Sequence, residues 1–475
     1  MDHALAFGAA DDLFAFAEAE MTSDALTSVR YHLAMGFVAE HSATTLSKQS
    51  TFSRLRQKRT AGLLVDAFSL PEFNRRLIKG FYYPNTYRDE NPDIQFTAKA
   101  SLPELSDEQL QDTQMVSHHN ALLIEIGGAL VIKPVRTIIY GRHPFVELSD
   151  YLHEHGYTNV IKVLGEVHRE DQRGSSSLAI LQEHHSSQGD AWQWTQNTLE
   201  RGFRDQTAVG SSSMNEQAPA LTELENFARV VGTRLGEMHL ILAKKTDHQE
   251  FGSALATSKL IGLWKKRIET RLCDLIRLLK KHSLPNIAEI ATRLETSLPK
   301  LSAFLEDHSH QLNETLLMRI HGNLHLGQIL VVRDDAFFGC FDDPPATLLT
   351  ASRLFATPFK DASDILLSFD DAAAAAVRNI SATDPFADTG QAEALAVLYR
   401  QRVKTAFYEA YQIATKSLKN LWNDPAGISL SLQLSAVENR LNQAFCASSN
   451  PNLLQAHLHE LEERLAVLGD KASHP

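Results

Sequence analysis

Residues Arg319–Leu330 read RIHGNLHLGQIL, and a predicted hairpin follows them and ends at Phe341-Asp342-Asp343. Transfer of a phosphoryl group to a hydroxyl needs a carboxylate beside the nucleophile, a metal ligand a few residues further on, and a second carboxylate for the metal after a hairpin. Asn323 and Gln328 stand at the first two of these positions. The stretch therefore has the spacing of a phosphotransferase catalytic loop.

The elements around this loop are ordered as in a kinase. Ala121–Lys133 (ALLIEIGGALVIK) is rich in β-formers and is interrupted by two glycines, which predicts a hairpin. Pro144–His155 predicts a helix and Ser177–Gln182 a buried strand. From Ala218 onward, apolar residues recur at i, i+3, i+4 and i+7. Helices are predicted over Leu224–Leu242, Leu260–Lys281, Ile287–Leu305, Ala392–Ser417 and Leu453–Leu468, with one embedded hairpin over Ile329–Asp342. We predict an α+β, bilobal kinase-like fold with a small β-rich N-lobe and a large helical C-lobe.

The beginning of the chain has a different character. Leu13, Phe14, Phe16 and Ala17 share one face of a predicted helix, and the Ser/Thr/Arg-rich stretch 42–59 is a candidate linker. The predicted division is an N-terminal extension and cap-like region over 1–110, a β-rich nucleotide lobe over 111–185, and a helical substrate and catalytic lobe over 186–475.

Composition excludes several classes of function. Lys plus Arg (46) against Asp plus Glu (58) gives a net charge of −12 with no long basic run, which argues against a nucleic-acid partner. The three cysteines form no CxxC pair, so a reducing compartment is expected. Residues 1–21 contain no Lys or Arg, unlike a secretory signal, and no apolar run approaches the roughly 20 residues that span a bilayer. We expect a cytoplasmic protein without a membrane partner.

Further motifs follow one another in a fixed order. They are LVDAFSLPEFNRRLI (64–78), LAILQEHHSSQGDAWQWT (178–195), LGEMHLILA (235–243) and PFKDASDILLSFDDA (358–372). With the loop, they resemble the bacterial maltokinases within the aminoglycoside-phosphotransferase-like kinases, whose loop reads HGDxHLGQ. The resemblance runs from about residue 63 to 440. It implies ATP and Mg²⁺ as cofactors and transfer of the γ-phosphate to the anomeric hydroxyl of maltose.

The resemblance also assigns roles to individual residues. Lys133 matches the family lysine that grips the nucleotide phosphates, and Glu147 matches the glutamate that pairs with it from the following helix. The segment 178–195 resembles the family's hinge, which implies that Gln182 and Glu183 lie at the nucleotide. Gln328 matches a metal ligand. Half of the phosphotransfer machinery is therefore expected to be intact.

The other half departs from the family pattern. Asn323 replaces the catalytic aspartate, and its amide oxygen cannot accept a proton near neutral pH. Without gaps, the family's metal-binding aspartate falls on Cys340, and a thiol is a poor ligand for magnesium. A two-residue insertion balanced by a later deletion would place Asp342 there instead; we favour Cys340 and keep both. The family's phosphate loop QSNTS is replaced by HNALL at 119–123.

Three hypotheses about function follow. The leading one is a maltokinase-family pseudokinase of trehalose and α-glucan metabolism. It has weak or no ATP:maltose 1-phosphotransferase activity, binds nucleotide or sugar weakly if at all, and acts on a partner enzyme such as a trehalose synthase. The first alternative is an active maltokinase of low rate, with Asp342 binding the metal. The second alternative is an interaction scaffold without a ligand.

Overall fold

The chain forms two compact units in its computed structural model. The model describes residues 4–7, 14–22, 28–39, 50–57, 60–84, 93–99, 102–118, 121–208, 218–340, 353, 355–383, 388–448 and 450–473. Unit 1 consists of Met1–Trp194 with Gly327–Ala351, and unit 2 of Thr195–Leu326 with Ser352–Pro475. These boundaries differ from the three predicted segments, because the hairpin after the catalytic loop packs with the N-terminal half.

Unit 1 begins with a five-stranded antiparallel sheet in the order β1-β2-β3-β5-β4. The helix predicted around Phe14 is wrong, because FAFAEAE alternates with a period of two and buries Phe14 and Phe16 on one side of a strand. The predicted linker over 42–59 is wrong at 51–57, which form a strand; 42–49 and 58–59 lie outside the described residues. The strands are β1 Ala4–Phe7, β2 Phe14–Thr22, β3 Ser28–Ala39, β4 Thr51–Gln57 and β5 Thr60–Asp66.

A second sheet of unit 1 has six antiparallel strands in the order β6-β10-β11-β9-β8-β7. The predicted hairpin over Ala121–Lys133 is confirmed, and its turn uses Gly127 and Gly128 at positive φ (57° and 63°), which glycine adopts without strain. The predicted strand and helix near it are confirmed as β11 and α3. The elements are α1 Pro71–Tyr82, β6 Ile94–Ala98, α2 Asp107–Gln111, β7 Thr113–His118, β8 Ala121–Ile126, β9 Leu130–Pro134, α3 Pro144–Glu154, β10 Val163–Asp171 and β11 Gly174–Glu183.

The two sheets of unit 1 share one core and one buried ionic cluster. Phe14 and Phe73 belong to the same apolar cluster as Ile132 of the six-stranded sheet. Glu18 of β2 is 3% exposed and accepts hydrogen bonds from the guanidinium groups of Arg30 of β3, Arg169 of β10 (2.5 Å) and Arg173 (2.8 Å). Removing one partner of a buried charged pair is strongly destabilising. Strand β2 is therefore anchored on the six-stranded sheet.

Unit 2 is mainly helical, as the periodicity predicts. The predicted helices are confirmed within a few residues at each end. In the part of the chain that the structure describes, no helix is both long enough and apolar enough to cross a bilayer. The elements, with α4 starting in unit 1, are α4 Ala191–Ala208, α5 Pro219–Leu242, β12 Ser253–Leu255, α6 Ser258–Lys280, α7 Pro285–His308, β13 Leu316–Met318, α8 Phe359–Thr383, α9 Thr389–Thr415, α10 Pro425–Cys446 and α11 Pro451–Ser473.

Candidate active site

Lys133 and Cys340 meet in the interior of unit 1. Lys133 lies on β9, between β8 and β11, and its side chain is 1% exposed. Its Nζ donates a hydrogen bond to Cys340 Sγ across 3.4 Å, and Cys340 is 6% exposed. A buried ammonium is costly unless a polar or charged group compensates it. The group found beside this lysine is a thiol, at the position where the ungapped resemblance expects a metal-binding carboxylate.

The hairpin that carries Cys340 is fixed within unit 1. Its strands are β14 Ile329–Val332 and β15 Asp335–Phe338, and the turn has Arg333 and Asp334 at positive φ (50° and 65°). Phe338 forms a bridge with Val160. Gly339 N donates to the backbone oxygen of Gln328 across 2.8 Å, which closes the open end of the hairpin. Cys340 follows this closure directly.

Of the two residues expected at the metal, Gln328 lies within the described residues and Asp342 does not. Gln328 is fully buried just before β14, and its backbone oxygen belongs to the hydrogen bond that closes the hairpin. Asp342, the alternative metal ligand, lies outside the described residues, as does the stretch 119–120 of the expected phosphate loop. The choice between Cys340 and Asp342 as the residue at the metal position stays a prediction.

The other residues that are expected to contact the nucleotide lie on a helix and a strand of unit 1. Glu147 is in the first turn of α3 and is half-buried; its pairing with Lys133 stays a prediction. Gln182 and Glu183 end β11. Gln182 is 1% exposed, and its Nε2 has no hydrogen-bond partner among the described residues. An unsatisfied buried donor costs about 1–3 kcal/mol, which makes this amide a candidate donor to a bound ligand.

The catalytic loop in unit 2 is held by a buried carboxylate that the sequence analysis did not single out. Asp361, at the start of α8, accepts hydrogen bonds from His321 N (2.8 Å) and Gly322 N (2.9 Å). Gly322 has φ +82°, a conformation that favours glycine. Further along α8, Ser368 Oγ accepts from Leu326 N across 3.0 Å. One helix thus fixes both ends of the loop that carries Asn323.

A histidine and a tyrosine support this carboxylate from behind. His239 Nε2 lies 3.1 Å from Asp361 Oδ2, and His239 Nδ1 lies 2.9 Å from the Tyr411 hydroxyl. Because a carboxylate only accepts, His239 donates through Nε2 and accepts from Tyr411 through Nδ1. Burial acts to raise the pKa of Asp361, but the hydrogen bonds from His239 and the loop backbone lower it overall. Asp361 is therefore ionised. The motifs LGEMH and PFKDASD contained both residues, but neither has the spacing of a catalytic group.

A second buried group of charges lies beside Asp361 on the same helix. Lys360 Nζ donates to Asp364 Oδ2 across 2.8 Å, and Asn439 of α10 donates to the other oxygen of Asp364 across 2.9 Å. Burial raises the pKa of Asp364 to about 6, although Lys360 opposes the shift. Glu438, also of α10, is buried and accepts a hydrogen bond from Arg267 Nε across 2.7 Å. These contacts join α8 to α10, and α10 in turn to α6.

The described residues fit a nucleotide better than they fit magnesium. Lys133 and Gln182 are buried donors in unit 1, suited to phosphate and to a base, respectively. Magnesium takes oxygen ligands, whereas the group beside Lys133 is a sulfur. Among the described residues, no three His, Cys, Asp or Glu side chains group together as a metal site.

The architecture is shared with solved sugar-kinase structures. A glucosamine kinase in complex with glucosamine, ADP and inorganic phosphate matches 98% of this chain and 96% of its own, with a TM-score of 0.57 and 15% identity. A second crystal form of a glucosamine kinase matches 96% of this chain and 94% of its own, with a TM-score of 0.56 and 16% identity. No family model matches the chain. The chain thus has a kinase-like phosphotransferase fold, which confirms the predicted fold class; its membership of the maltokinase family stays a prediction.

Proposed function

We propose that this protein is a sugar-kinase-like pseudokinase of the maltokinase type, which binds a nucleotide or a sugar weakly and acts on a partner enzyme of trehalose or α-glucan metabolism. The observation that carries the proposal is the contact between Lys133 and Cys340, 3.4 Å from Nζ to Sγ. A carboxylate at this position would bind magnesium as well as the lysine, whereas a thiol serves neither purpose well.

The catalytic loop supports the same proposal. Asp361 and Ser368 hold the loop backbone through three hydrogen bonds, so Asn323 is presented by an ordered loop. The side chain itself is an amide, which cannot take the proton of an acceptor hydroxyl. General-base help contributes typically 10²–10⁴ in rate. An intact scaffold that carries two incompetent side chains is the pattern expected of a pseudokinase.

The acceptor is expected to be a sugar. The resemblance to maltokinases favours maltose, and the structural match is to a kinase whose bound ligand is glucosamine. Both sugars present hydroxyl groups, and the two are therefore the first ligands to examine. The nucleotide bound in that glucosamine kinase is ADP, which supports an adenine nucleotide as the second ligand.

A coupled assay for ADP release tests the proposal. The purified protein is incubated with ATP, magnesium and either maltose or glucosamine, beside Asn323→Ala as a matched variant. We expect rates at the level of the assay without protein, and no difference between the two proteins. Robust sugar-dependent turnover that Asn323→Ala abolishes would show an active sugar kinase instead.

Ligand binding and the action on a partner are tested separately. A ligand that binds only the native state raises its stability by RT ln(1 + [L]/Kd), so thermal unfolding with millimolar ATP, maltose or glucosamine detects weak binding. A shift with any of them supports the pseudokinase, whereas no shift with all three supports a scaffold. The proposed regulation predicts that a trehalose synthase changes its rate when this protein is added; an unchanged rate contradicts that part.

A further inference from the structure

A cavity of about 430 Å³ lies within the helical unit, away from the residues described so far. Its walls come from α8, α9, α10 and α11, and its volume is in the range of small-molecule sites. Asp370 of α8 lines it, nine residues after Asp361. At 1.5 Å per residue, about 13 Å of helix separates this cavity from the carboxylate that holds the catalytic loop.

Arg464 of α11 is the cationic group of this cavity that the described contacts leave unpaired. Its Nε is buried and has no hydrogen-bond partner among the described residues. Its neighbour Arg440 by contrast forms ion pairs with Asp371 (2.8 Å) and Glu460 (2.7 Å). Burial, followed by the repulsion from Arg440, lowers the pKa of Arg464. A carboxylate placed on this guanidinium would relieve both costs.

The same cavity also contains carboxylates that can accept hydrogen bonds from a ligand. Asp370 Oδ1 is buried and accepts no hydrogen bond among the described residues, although Lys404 reaches Oδ2 at 2.6 Å and Arg400 Nε lies 3.8 Å from Oδ1. Glu463 of α11 lines the cavity and is 65% exposed. A hydrogen-bond acceptor, Asp370, and a hydrogen-bond donor, Arg464, therefore line the same cavity. Glu460 adds a third carboxylate, which disfavours the binding of a multiply charged anion.

We propose that this cavity binds a small zwitterion of the amino-acid class, with its carboxylate on Arg464 and its ammonium group between Asp370 and Glu463. Ala374, Val467 and Leu468 supply an apolar surface for a short aliphatic side chain. Phosphate lacks the cationic half, and a neutral sugar leaves the Arg464 charge uncompensated. The proposal is independent of the phosphotransfer site and of its activity.

A ligand screen on the full chain tests the proposal. Each of the twenty free L-amino acids is added at millimolar concentration, and binding is followed by thermal unfolding and by ligand-detected NMR. We expect at least one amino acid to bind, and its corresponding amine and its corresponding deaminated acid to bind at least tenfold more weakly. The proposal is overturned if none of the twenty amino acids binds, or if the amine or the deaminated acid binds as tightly as the amino acid. It is also overturned if this cavity binds only inorganic phosphate or maltose.

Two variants locate the binding. Arg464→Gln is expected to weaken the amino acid at least tenfold, and Glu463→Gln, an exposed position that should not disturb folding, at least threefold. Arg204→Gln changes an arginine that is 73% exposed on α4 and is expected to leave binding unchanged. Unchanged affinity in Glu463→Gln together with Arg464→Gln overturns the assignment. Because none of these readouts uses ATP, their failure leaves the proposed pseudokinase untouched.

Discussion

Lys133 and Cys340 lie 207 positions apart in the chain, and the lysine ammonium donates a hydrogen bond to the cysteine sulfur inside unit 1. The pair is almost fully excluded from solvent. In a phosphotransferase, the same two positions are expected to hold a phosphate-binding lysine and a metal-binding carboxylate. In this pair the acceptor is a sulfur, and the assignment of Cys340 to the metal position stays a prediction.

Replacing Cys340 by aspartate is predicted to make ATP binding depend on magnesium. In the wild-type protein, ATP affinity should be equal with and without magnesium, because a thiol does not recruit this ion. In Cys340→Asp, magnesium should raise ATP affinity at least tenfold, measured by isothermal titration calorimetry. Cys446→Asp, at an exposed cysteine, serves as the matched control. Magnesium-dependent binding by the wild-type protein would show that another ligand, such as Asp342, completes a metal site.

Asp361→Asn is predicted to loosen the catalytic loop and to destabilise the helical unit. In the wild-type protein, His239, His321 N and Gly322 N all donate to carboxylate oxygens of Asp361. An amide replaces one of these oxygens by an NH₂ group, so at least one of the three donors loses its acceptor. We expect a loss of about 3–5 kcal/mol in the free energy of unfolding, as for other broken buried charge networks. Urea unfolding measures it, with Asp205→Asn on the exposed side of α4 as the control. A loss equal to that of the control would contradict the anchoring role.

Much of the fold was predictable because its helices and its central hairpin follow simple periodicities. The run ALLIEIGGALVIK contains two apolar strands and the two glycines that the turn requires at positive φ. The N-terminal sheet was missed, because Phe14, Phe16 and Ala17 also fit one face of a helix over so short a window. Pairing with β1 and with β3 fixes the extended form. Strand propensity depends strongly on such tertiary context.

The candidate site was predictable in part. The spacing from Asn323 to Gln328 indicates the catalytic loop, and the ungapped comparison points to Cys340. The roles of Asp361 and His239 were not predictable from spacing, because both act through hydrogen bonds that exist only once α5 and α8 are packed together. The same holds for Arg464, whose unpaired state depends on Arg440 having taken the nearby carboxylates.

Glu18→Gln is predicted to detach the N-terminal sheet from the nucleotide-lobe sheet. The change leaves Arg30, Arg169 and Arg173 without the carboxylate on which they converge. We expect a loss of roughly 3 kcal/mol or more in unfolding free energy, because charged groups stay buried without their partner. Glu20→Gln, two positions along the same strand and exposed, is the control. Equal stability of the two variants would contradict the anchoring of β2 on the six-stranded sheet.

His32 is predicted to make unit 1 sensitive to acid. Burial, and after it the nearby arginines, lowers the pKa of His32 to about 3. Between pH 6.5 and 3 the unfolded chain binds a proton that the folded chain refuses, so stability is lost as the pH falls through this window. The contribution is roughly 5 kcal/mol at most. His32→Gln should flatten the stability profile in this range, whereas the exposed control His310→Gln should not. Parallel profiles of His32→Gln and the wild-type protein would contradict the assignment.

Restoring both carboxylates is the most direct measurement of the central claim, which is that Asn323 and Cys340 remove phosphotransfer from an otherwise intact kinase fold. The rate of ATP-dependent, sugar-dependent ADP release is compared between the wild-type protein and the double variant Asn323→Asp/Cys340→Asp. The account predicts that the double variant gains at least about 10², since the general base alone contributes 10²–10⁴. Equal rates in the two proteins would contradict it.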